Sequence, residues 1–385
     1  MKNILIEGWR GINHSYAIVN QYQLLELAKL HDFSIFHRDV SFGSQSWNKV
    51  DNNPRFPESM QDAIQAVPPP PRSQKFDTVF RIAWPFQRTD EKAKTTLTFL
   101  TAEYGLGPEH FPPAGPSLQR MIAGNASAVT PSRWSKMKLM EFGFPEHKVH
   151  VVPHGVSSEI FYPLTPEERN SVRQALGLSA DDFVFLNLGA MIDNKGIDIL
   201  MLAFSEIRKR HPNAKLVLKD EQKLYNIKGY DVLQRILNNH PGLSTDALLN
   251  SIKLLSVTLP MYEMRHLYGM ADVYASPYRA EGFNLPVIEA VACGTPVIVT
   301  AGGATDDFCE PRIASSISAS RIDNVARGIK APGYTLEPNI ESLIEAMENA
   351  IVSPRGNTDE FRAGRMQLVR DHSWAACVQQ LVKLF

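Results

Sequence analysis

The stretch YRAEGFNLPVIEA, residues 278–290, marks the point where a loop turns into a helix. Pro286 suits the first turn of a helix, where a missing amide hydrogen is tolerated, and Gly282 permits a tight turn before it. The backbone amides at this turn then face outward at a helix N-terminus, which favours a phosphate or an acidic sugar substituent. The segment predicted to bind such a group consists of Gly282, Phe283, Asn284 and Leu285.

Two carboxylates flank this helix start. Glu281 lies just before it and Glu289 lies on its first turns, so both side chains can point into one cleft. A sugar joined to a diphosphate needs this layout, because carboxylates accept hydrogen bonds from vicinal hydroxyls while amides bind the charged bridge. The alternative is that both glutamates are only helix-start charges, which the helix dipole favours.

Strand-like runs alternate with helical patterns on both sides of this stretch, which indicates parallel α/β sheets. In the second half we predict strands at Phe183–Leu188 and Ala214–Lys219, a helix at Met261–Met270, and a helical stretch from Thr358 to Phe385. We predict two Rossmann-like, doubly wound domains facing a central cleft, because ligands bind at the carboxyl ends of such sheets. The predicted bounds are 1–158 and 159–357 for the two domains and 358–385 for a C-terminal helix that crosses back to the first.

Composition narrows the class of protein. The chain has 385 residues, 44% of them hydrophobic, with a formal net charge of -1, so it has no bulk attraction to nucleic acid. Its three cysteines have no metal-ligand spacing, and their odd number argues against a disulfide framework and for a reducing compartment. No apolar run reaches 18 residues. We therefore expect a cytoplasmic protein, at most peripheral to the inner face of a membrane.

The Glu281 segment, together with ACGTPV at residues 292–297, resembles the donor-site signature of retaining glycosyltransferases with the GT-B fold. The resemblance is to glycosyltransferase family 4, the glycosyl transferases group 1. It implies that Glu281 contacts the transferred sugar and that Glu289 binds the ribose hydroxyls of a nucleotide-sugar donor. It also implies a fold whose members usually work without bound metal, and we expect neither a metal nor a cofactor.

A second segment, LGAMIDNKGID at residues 188–198, resembles the strand, loop and helix of the same family that carry an arginine and a Lys-Gly pair. Lys195 matches the family lysine, which pairs with the donor diphosphate and stabilises the leaving group. Ala190 stands at the arginine position, a departure from the family pattern. Lys219 and Arg10 are the possible replacements for that arginine, although Lys219 can equally be an exposed lysine at a strand end.

The glycine loop from Gly8 to Gly11 lacks the dinucleotide-binding fingerprint. In relatives the corresponding loop lies over the donor phosphates and the acceptor, and the resemblance places Arg10 and Gly11 there. The implied activity is retaining transfer of a sugar from a UDP- or GDP-sugar to a hydroxyl of a glycan, a lipid-linked acceptor or a small-molecule glycoside. The alternatives are a sugar phosphorylase, an epimerase, or a non-catalytic nucleotide-sugar-binding or partner subunit. The sequence leaves the acceptor and the oligomeric state open.

Overall fold

A computed structural model describes residues 1–51, 53–112 and 118–385. The described chain divides into two compact units. The first unit contains residues 1–155, 323–334 and 372–385, and the second contains residues 156–322 and 335–371. The domain bounds predicted from the sequence stay a prediction. None of the helices in the described residues combines the length and apolar character needed to cross a bilayer.

The secondary structure alternates along most of the chain. The strands are β1 Lys2–Gly8, β2 Phe33–Asp39, β3 Phe76–Ile82, β4 Ala93–Phe99, β5 Ala126–Thr130, β6 Val149–Val151, β7 Phe183–Leu188, β8 Ala214–Lys219, β9 Ile252–Leu255, β10 Val273–Ser276, β11 Val297–Thr300, β12 Ala314–Ile317, β13 Ala319–Asp323 and β14 Tyr334–Pro338. The helices are α1 Ser15–Leu27, α2 Glu58–Ala66, α3 Leu118–Ile122, α4 Arg133–Phe142, α5 Pro166–Ala175, α6 Ile197–Arg210, α7 Gln222–Tyr225, α8 Gly229–Asn239, α9 Asp246–Leu249, α10 Met264–Met270, α11 Leu285–Ala292, α12 Ile340–Val352, α13 Asp359–Asp371 and α14 Trp374–Val382. Short 3-10 turns lie at Pro108–His110, Glu146–Lys148, Asp193–Lys195, Pro241–Leu243, Met261–Glu263, Ala304–Asp307 and Val325–Arg327.

The first unit is built on a parallel sheet. Within its described residues six strands pair in the order β2-β1-β3-β4-β5-β6. The final helix, α14, starts at Trp374 behind the N-cap Ser373, whose hydroxyl accepts a hydrogen bond from the Ala376 amide. The Trp374 ring stacks on Tyr22 of α1 with ring centroids 4.9 Å apart. This contact explains why the C-terminal residues belong to the first unit.

The second unit repeats the architecture. Its described strands form a six-stranded parallel sheet in the order β12-β11-β10-β7-β8-β9. Helices α6 and α12 pack on the sheet because each presents apolar residues at a spacing of four. Leu200 and Phe204 of α6 and Leu343 and Met347 of α12 are fully buried in this core. This strand order is that of a Rossmann sheet, and it reverses direction between β7 and β10.

A switch point of this kind creates an opening at the carboxyl end of a parallel sheet, because the loops after the two central strands lead to helices on opposite faces. In the second unit these are the loop after β7, which leads to α6, and the loop after β10, which leads to α11. Both loops contain residues that the sequence selected. The fold therefore brings the two sequence segments together at one edge of one sheet.

Candidate active site

The loop after β7 is shaped by two glycines with positive φ. Gly189 has a φ of 130° and Gly196 has a φ of 66°. A Cβ atom added at Gly196 would lie 2.0 Å from the carbonyl oxygen of Pro277, so no other residue fits against the loop after β10. The 3-10 turn Asp193–Lys195 precedes this contact. The close approach of the two loops at Gly196 holds its neighbour Lys195 beside the residues that follow Pro277.

Lys195 and Glu281 form an ion pair in which the Nζ atom of Lys195 donates to Oε1 of Glu281. The Lys195 side chain is 20% exposed and the Glu281 side chain is 6% exposed, so the pair is open to a ligand mainly on the lysine side. A largely dehydrated pair is electrostatically stronger than one in water, because the surrounding dielectric constant is lower. The structure thus brings the two residues predicted to be catalytic into direct contact.

The helix start predicted from Pro286 is confirmed. Helix α11 begins at Leu285 with the proline in its first turn, and its N-cap Asn284 has a left-handed backbone with a φ of 75°. The Asn284 side chain fixes this conformation, because its Nδ2 donates to Oγ of Ser276 at 3.0 Å. Phe283 is buried and stacks on Phe308 with ring centroids 4.9 Å apart. The segment from Gly282 to Leu285 is therefore a shaped turn at the N-terminus of α11.

Glu289 lies on α11 and has a partner that the sequence did not reveal. The hydroxyl of Tyr268 on α10 donates to Oε2 of Glu289 at 2.6 Å. Burial raises the pKa of Glu289 to about 7, and the hydrogen bond from Tyr268 offsets part of that rise. Burial and the nearby carboxylate also raise the pKa of Tyr268 well above its usual value, so this side chain stays a hydrogen-bond donor. A tyrosine in a short helix such as α10 carries no sequence signal for such a role.

The other residues predicted to bind phosphate lie in different units: Lys219 in the second, Arg10 and Gly11 in the first. Lys219 ends β8 next to β7, where its Nζ lies 2.9 Å from both the Asp220 carbonyl and the Glu221 carboxylate. Its side chain is only 4% exposed, so the alternative of an exposed strand-end lysine is wrong. Arg10 and Gly11 follow β1 in the first unit.

Both of these N-terminal residues have partners inside the first unit. The guanidinium of Arg10 is 2.9 Å from the Asp39 carboxylate, and it also donates to the Ile64 carbonyl at 3.1 Å. The amide of Gly11, whose φ is 78°, donates to Oε1 of Gln21 at 3.0 Å. The roles of Arg10, Gly11 and Lys219 as phosphate ligands stay predictions.

The side chains at this edge of the second sheet supply both a positive charge and oxygen acceptors. Across residues 1–51, 53–112 and 118–385, no group of three or more His, Cys, Asp or Glu side chains could hold a metal ion. Lys195 supplies a positive charge, Glu281 and Glu289 supply oxygen acceptors, and the N-terminus of α11 supplies a positive dipole end. Such a set fits a ligand that carries both phosphate and hydroxyl groups.

Comparison with solved structures defines the fold class of the protein. HepE of Anabaena, solved in complex with UDP and glucose, superposes with a TM-score of 0.68 over 100% of this chain and 99% of its own, at 14% sequence identity. Two Rossmann-like parallel sheets of this kind constitute the GT-B glycosyltransferase fold, so the predicted fold class is confirmed.

The sequence match concerns the second half of the chain. Residues 168–331, which contain Lys195, Glu281 and Glu289, match the family described as glycosyl transferases group 1. D-inositol 3-phosphate glycosyltransferase 1 of Catenulispora acidiphila is 27% identical over 63% of this chain and 53% of its own. The GDP-mannose-dependent alpha-(1-6)-phosphatidylinositol monomannoside mannosyltransferase of Mycolicibacterium smegmatis is 26% identical over 56% of each chain. The chain spans about half the length of these relatives.

Proposed function

We propose that this protein is a retaining glycosyltransferase that moves a sugar from a nucleotide-sugar donor to an acceptor hydroxyl. The observation that carries the proposal is the ion pair between Lys195 and Glu281 at the switch point of the second sheet. A nucleotide-sugar separates into a negative nucleoside diphosphate and a positively charged sugar as the bond between them breaks. A cation and a carboxylate side by side match that charge separation.

Each residue has a role in this scheme. Lys195 and the N-terminus of α11 bind the diphosphate, Glu281 contacts the sugar, and Glu289 accepts hydrogen bonds from the ribose hydroxyls. The C1–O bond to the phosphate breaks, and its electron pair leaves with the nucleoside diphosphate. The acceptor oxygen attacks C1 on the same face, and its proton passes to an oxygen of the departing phosphate. The product then keeps the anomeric configuration of the donor.

The donor is a UDP- or GDP-sugar in this proposal. Support comes from HepE, whose structure holds UDP and glucose, and from the mycobacterial relative, whose name specifies GDP-mannose. These two relatives disagree on the base, so we keep both nucleotides. We place the protein in a reducing compartment, because Cys293, Cys309 and Cys377 are not disulfide-bonded.

The acceptor is a hydroxyl compound in the same proposal. The names of the relatives point to an inositol phosphate or to a phosphatidylinositol monomannoside, and acceptor pockets diverge because loops vary on a shared fold. Ala190, which replaces the family arginine, supports a non-catalytic nucleotide-sugar-binding subunit as the second candidate.

A panel of UDP-, GDP- and ADP-sugars tests the proposal. Purified protein is incubated with each donor, and released nucleotide and product are measured by mass spectrometry, first without acceptor and then with a cell extract that supplies acceptors. We expect nucleotide release with at least one donor, and an anomeric proton signal that shows retained configuration. Binding of a donor without turnover would favour the non-catalytic candidate, and neither binding nor turnover would refute both.

A further inference from the structure

Arg279 lies two residues before Glu281 and is 5% exposed. Its guanidinium makes a bidentate contact with Asp198 at the start of α6, with N–O distances of 2.8 and 2.7 Å. It also contacts the Glu337 carboxylate at 3.0 and 3.1 Å and donates to the carbonyl of Asp193 at 2.9 Å. Bidentate contacts between a planar guanidinium and a carboxylate fix both partners in orientation as well as in distance.

The backbone of Arg279 adds a second set of connections to the same loop. Its amide donates to the carbonyl of Asn194 at 2.6 Å, and the Asn194 side chain donates to the carbonyl of Ala280 at 3.1 Å. Asn194 immediately precedes Lys195, and Ala280 immediately precedes Glu281. The residues on the N-terminal side of both charged groups are therefore bonded to each other.

The guanidinium of Arg279 neutralises the carboxylates that surround it. Three carboxylates, those of Asp193, Asp198 and Glu337, lie within 3.4 Å of this one cation. Burial alone would raise the pKa of Asp198, but hydrogen bonds and charge from Arg279 lower that pKa below its usual value. Without the guanidinium, Asp193 and Asp198, which flank Lys195, would repel Glu337 on β14, and the loop of Lys195 would lose its side-chain contacts with Arg279 beside Glu281.

We infer that Arg279 is the positioning residue that holds the loop of Lys195 and the loop of Glu281 in one geometry. It acts through those two side chains, since its guanidinium is enclosed by protein carboxylates and a carbonyl. The expected effect on catalysis rests on the proposed function. The expected effect on the geometry of the two loops rests on the contacts alone. Misplacement of reacting groups by about 1 Å can lower a rate by about 100-fold.

The first test is hydrogen-deuterium exchange in the full chain, read by mass spectrometry. For Arg279→Met we expect faster exchange in both residues 189–197 and residues 277–285, by at least about tenfold in the opening equilibrium. Arg279→Lys is a milder change whose ammonium cannot reach all partners at once, and we expect an intermediate effect. Unchanged exchange in both loops, or a rise confined to residues 277–285, would overturn the inference.

Arg173→Met is the matched control. Arg173 is also a buried arginine of the second unit, 3% exposed, and it contacts Asp272 at 2.6 Å and the Met270 carbonyl at 2.9 Å. We expect its loss to destabilise the unit, and its hydrogen-bond partners Met270, Ala180, Asp182 and Asp272 lie outside both loops. We therefore expect this variant to leave exchange in both loops as in the wild type. A rise in both loops equal to that of Arg279→Met would show a general loss of stability, against a positioning role.

Kinetics provide the second test. For Arg279→Met we expect kcat to fall about 100-fold and the Kd for the nucleoside diphosphate to rise by a smaller factor, because the displaced loop of Lys195 also contributes to diphosphate binding whereas Glu289 does not contact Arg279. A kcat within threefold of the wild type in a folded variant would overturn the inference. No turnover by the wild type with any donor would refute the proposed function, and the exchange measurement would still decide the role of Arg279.

Discussion

The ammonium of Lys195 and the carboxylate of Glu281 are directly paired although 86 residues separate them in the chain. Each lies on a loop that follows one of the two central strands of the second sheet, β7 and β10. The pairing is thus a product of sheet topology. In the proposed reaction the donor exchanges this contact for one in which the lysine faces phosphate and the glutamate faces the sugar, so both charges stabilise the transition state.

Replacing Lys195 by alanine should lower kcat more than it changes the KM for the donor. The ammonium would stabilise charge that develops on the leaving diphosphate, and removing one such group costs about 100- to 1000-fold in kcat. Steady-state kinetics with the best donor of the panel measure this. Lys209→Ala is the control, because Lys209 lies on α6 with its side chain 68% exposed and pairs with Glu206 one helical turn away. Equal kcat values for the two variants would refute the assigned role.

The affinity for the donor should depend on pH through Glu289. Its pKa is raised to about 7, so the side chain is a carboxylate above that pH and a neutral acid below it. The ionised form accepts two ribose hydroxyls and the neutral form loses acceptor capacity. We expect the donor KM to rise about tenfold between pH 8 and pH 6. Glu289→Gln should have a weaker affinity with no such pH dependence, and a pH profile identical to that of the wild type would count against the assignment.

Tyr268→Phe should move this transition to higher pH. The hydroxyl of Tyr268 donates to the ionised carboxylate of Glu289 at 2.6 Å, and this hydrogen bond lowers the pKa that burial has raised. Without this hydrogen bond the neutral form of Glu289 is favoured further, so the pKa of Glu289 rises. The expected result is a KM profile displaced upward in pH, measured with the same donor. A displacement to lower pH would show that the hydrogen bond has the opposite effect.

Protonation of Glu289 should also make the free energy of unfolding depend on pH. The folded protein holds the Glu289 proton more tightly than the unfolded chain does, because the folded pKa is about 7 and the ordinary value is 4.5. The stability from this proton is fully present below about pH 4.5 and is lost as the pH rises through about 7. Glu289→Gln should therefore raise the Tm relative to the wild type at pH 8 and much less at pH 5. Calorimetry at both pH values checks this, and a lower Tm of the variant at pH 8 would contradict it.

Gly196→Ala should damage both stability and turnover. The added Cβ would lie 2.0 Å from the Pro277 carbonyl oxygen, and the φ of 66° disfavours any side chain. We expect a loss of about 2 kcal/mol or more in the free energy of unfolding, with a lower kcat because Lys195 moves with this loop. Gly242→Ala is the matched control, since a Cβ there meets nothing within 4 Å. Equal Tm values for the two variants would refute the close-approach explanation.

Much of the second unit could be predicted from the sequence. The bounds of the strands Phe183–Leu188 and Ala214–Lys219 are confirmed residue by residue, because each is an apolar run buried between helices. The predicted helix at Met261–Met270 is α-helical only from Met264, since Pro260 starts a 3-10 turn. The predicted helical stretch from Thr358 onward is two helices, separated at Ser373 by its capping conformation.

The residues of the candidate site were harder to predict from the sequence than the fold was. Lys195, Glu281 and Glu289 could be selected because they fall in segments with a known spacing. Tyr268 and Arg279 could not, since their importance lies in partners that are distant in the chain. Arg279 contacts Asp198 and Glu337, which are 81 and 58 residues away. Pairing of this kind depends on strand order, which periodicity along a single sequence does not determine.

Equilibrium titration with UDP, GDP and ADP tests the nucleotide site most directly. Calorimetry on the wild type, Glu289→Ala and the control Glu206→Ala, which lies on α6 and pairs with Lys209, needs no knowledge of the sugar or the acceptor. We predict that at least one nucleotide binds the wild type and the control equally, and that its affinity falls at least about tenfold in Glu289→Ala, as expected for lost hydrogen bonds to a charged group. Failure of all three nucleotides to bind, or equal affinity for all three proteins, would contradict a nucleotide-sugar site at Glu289.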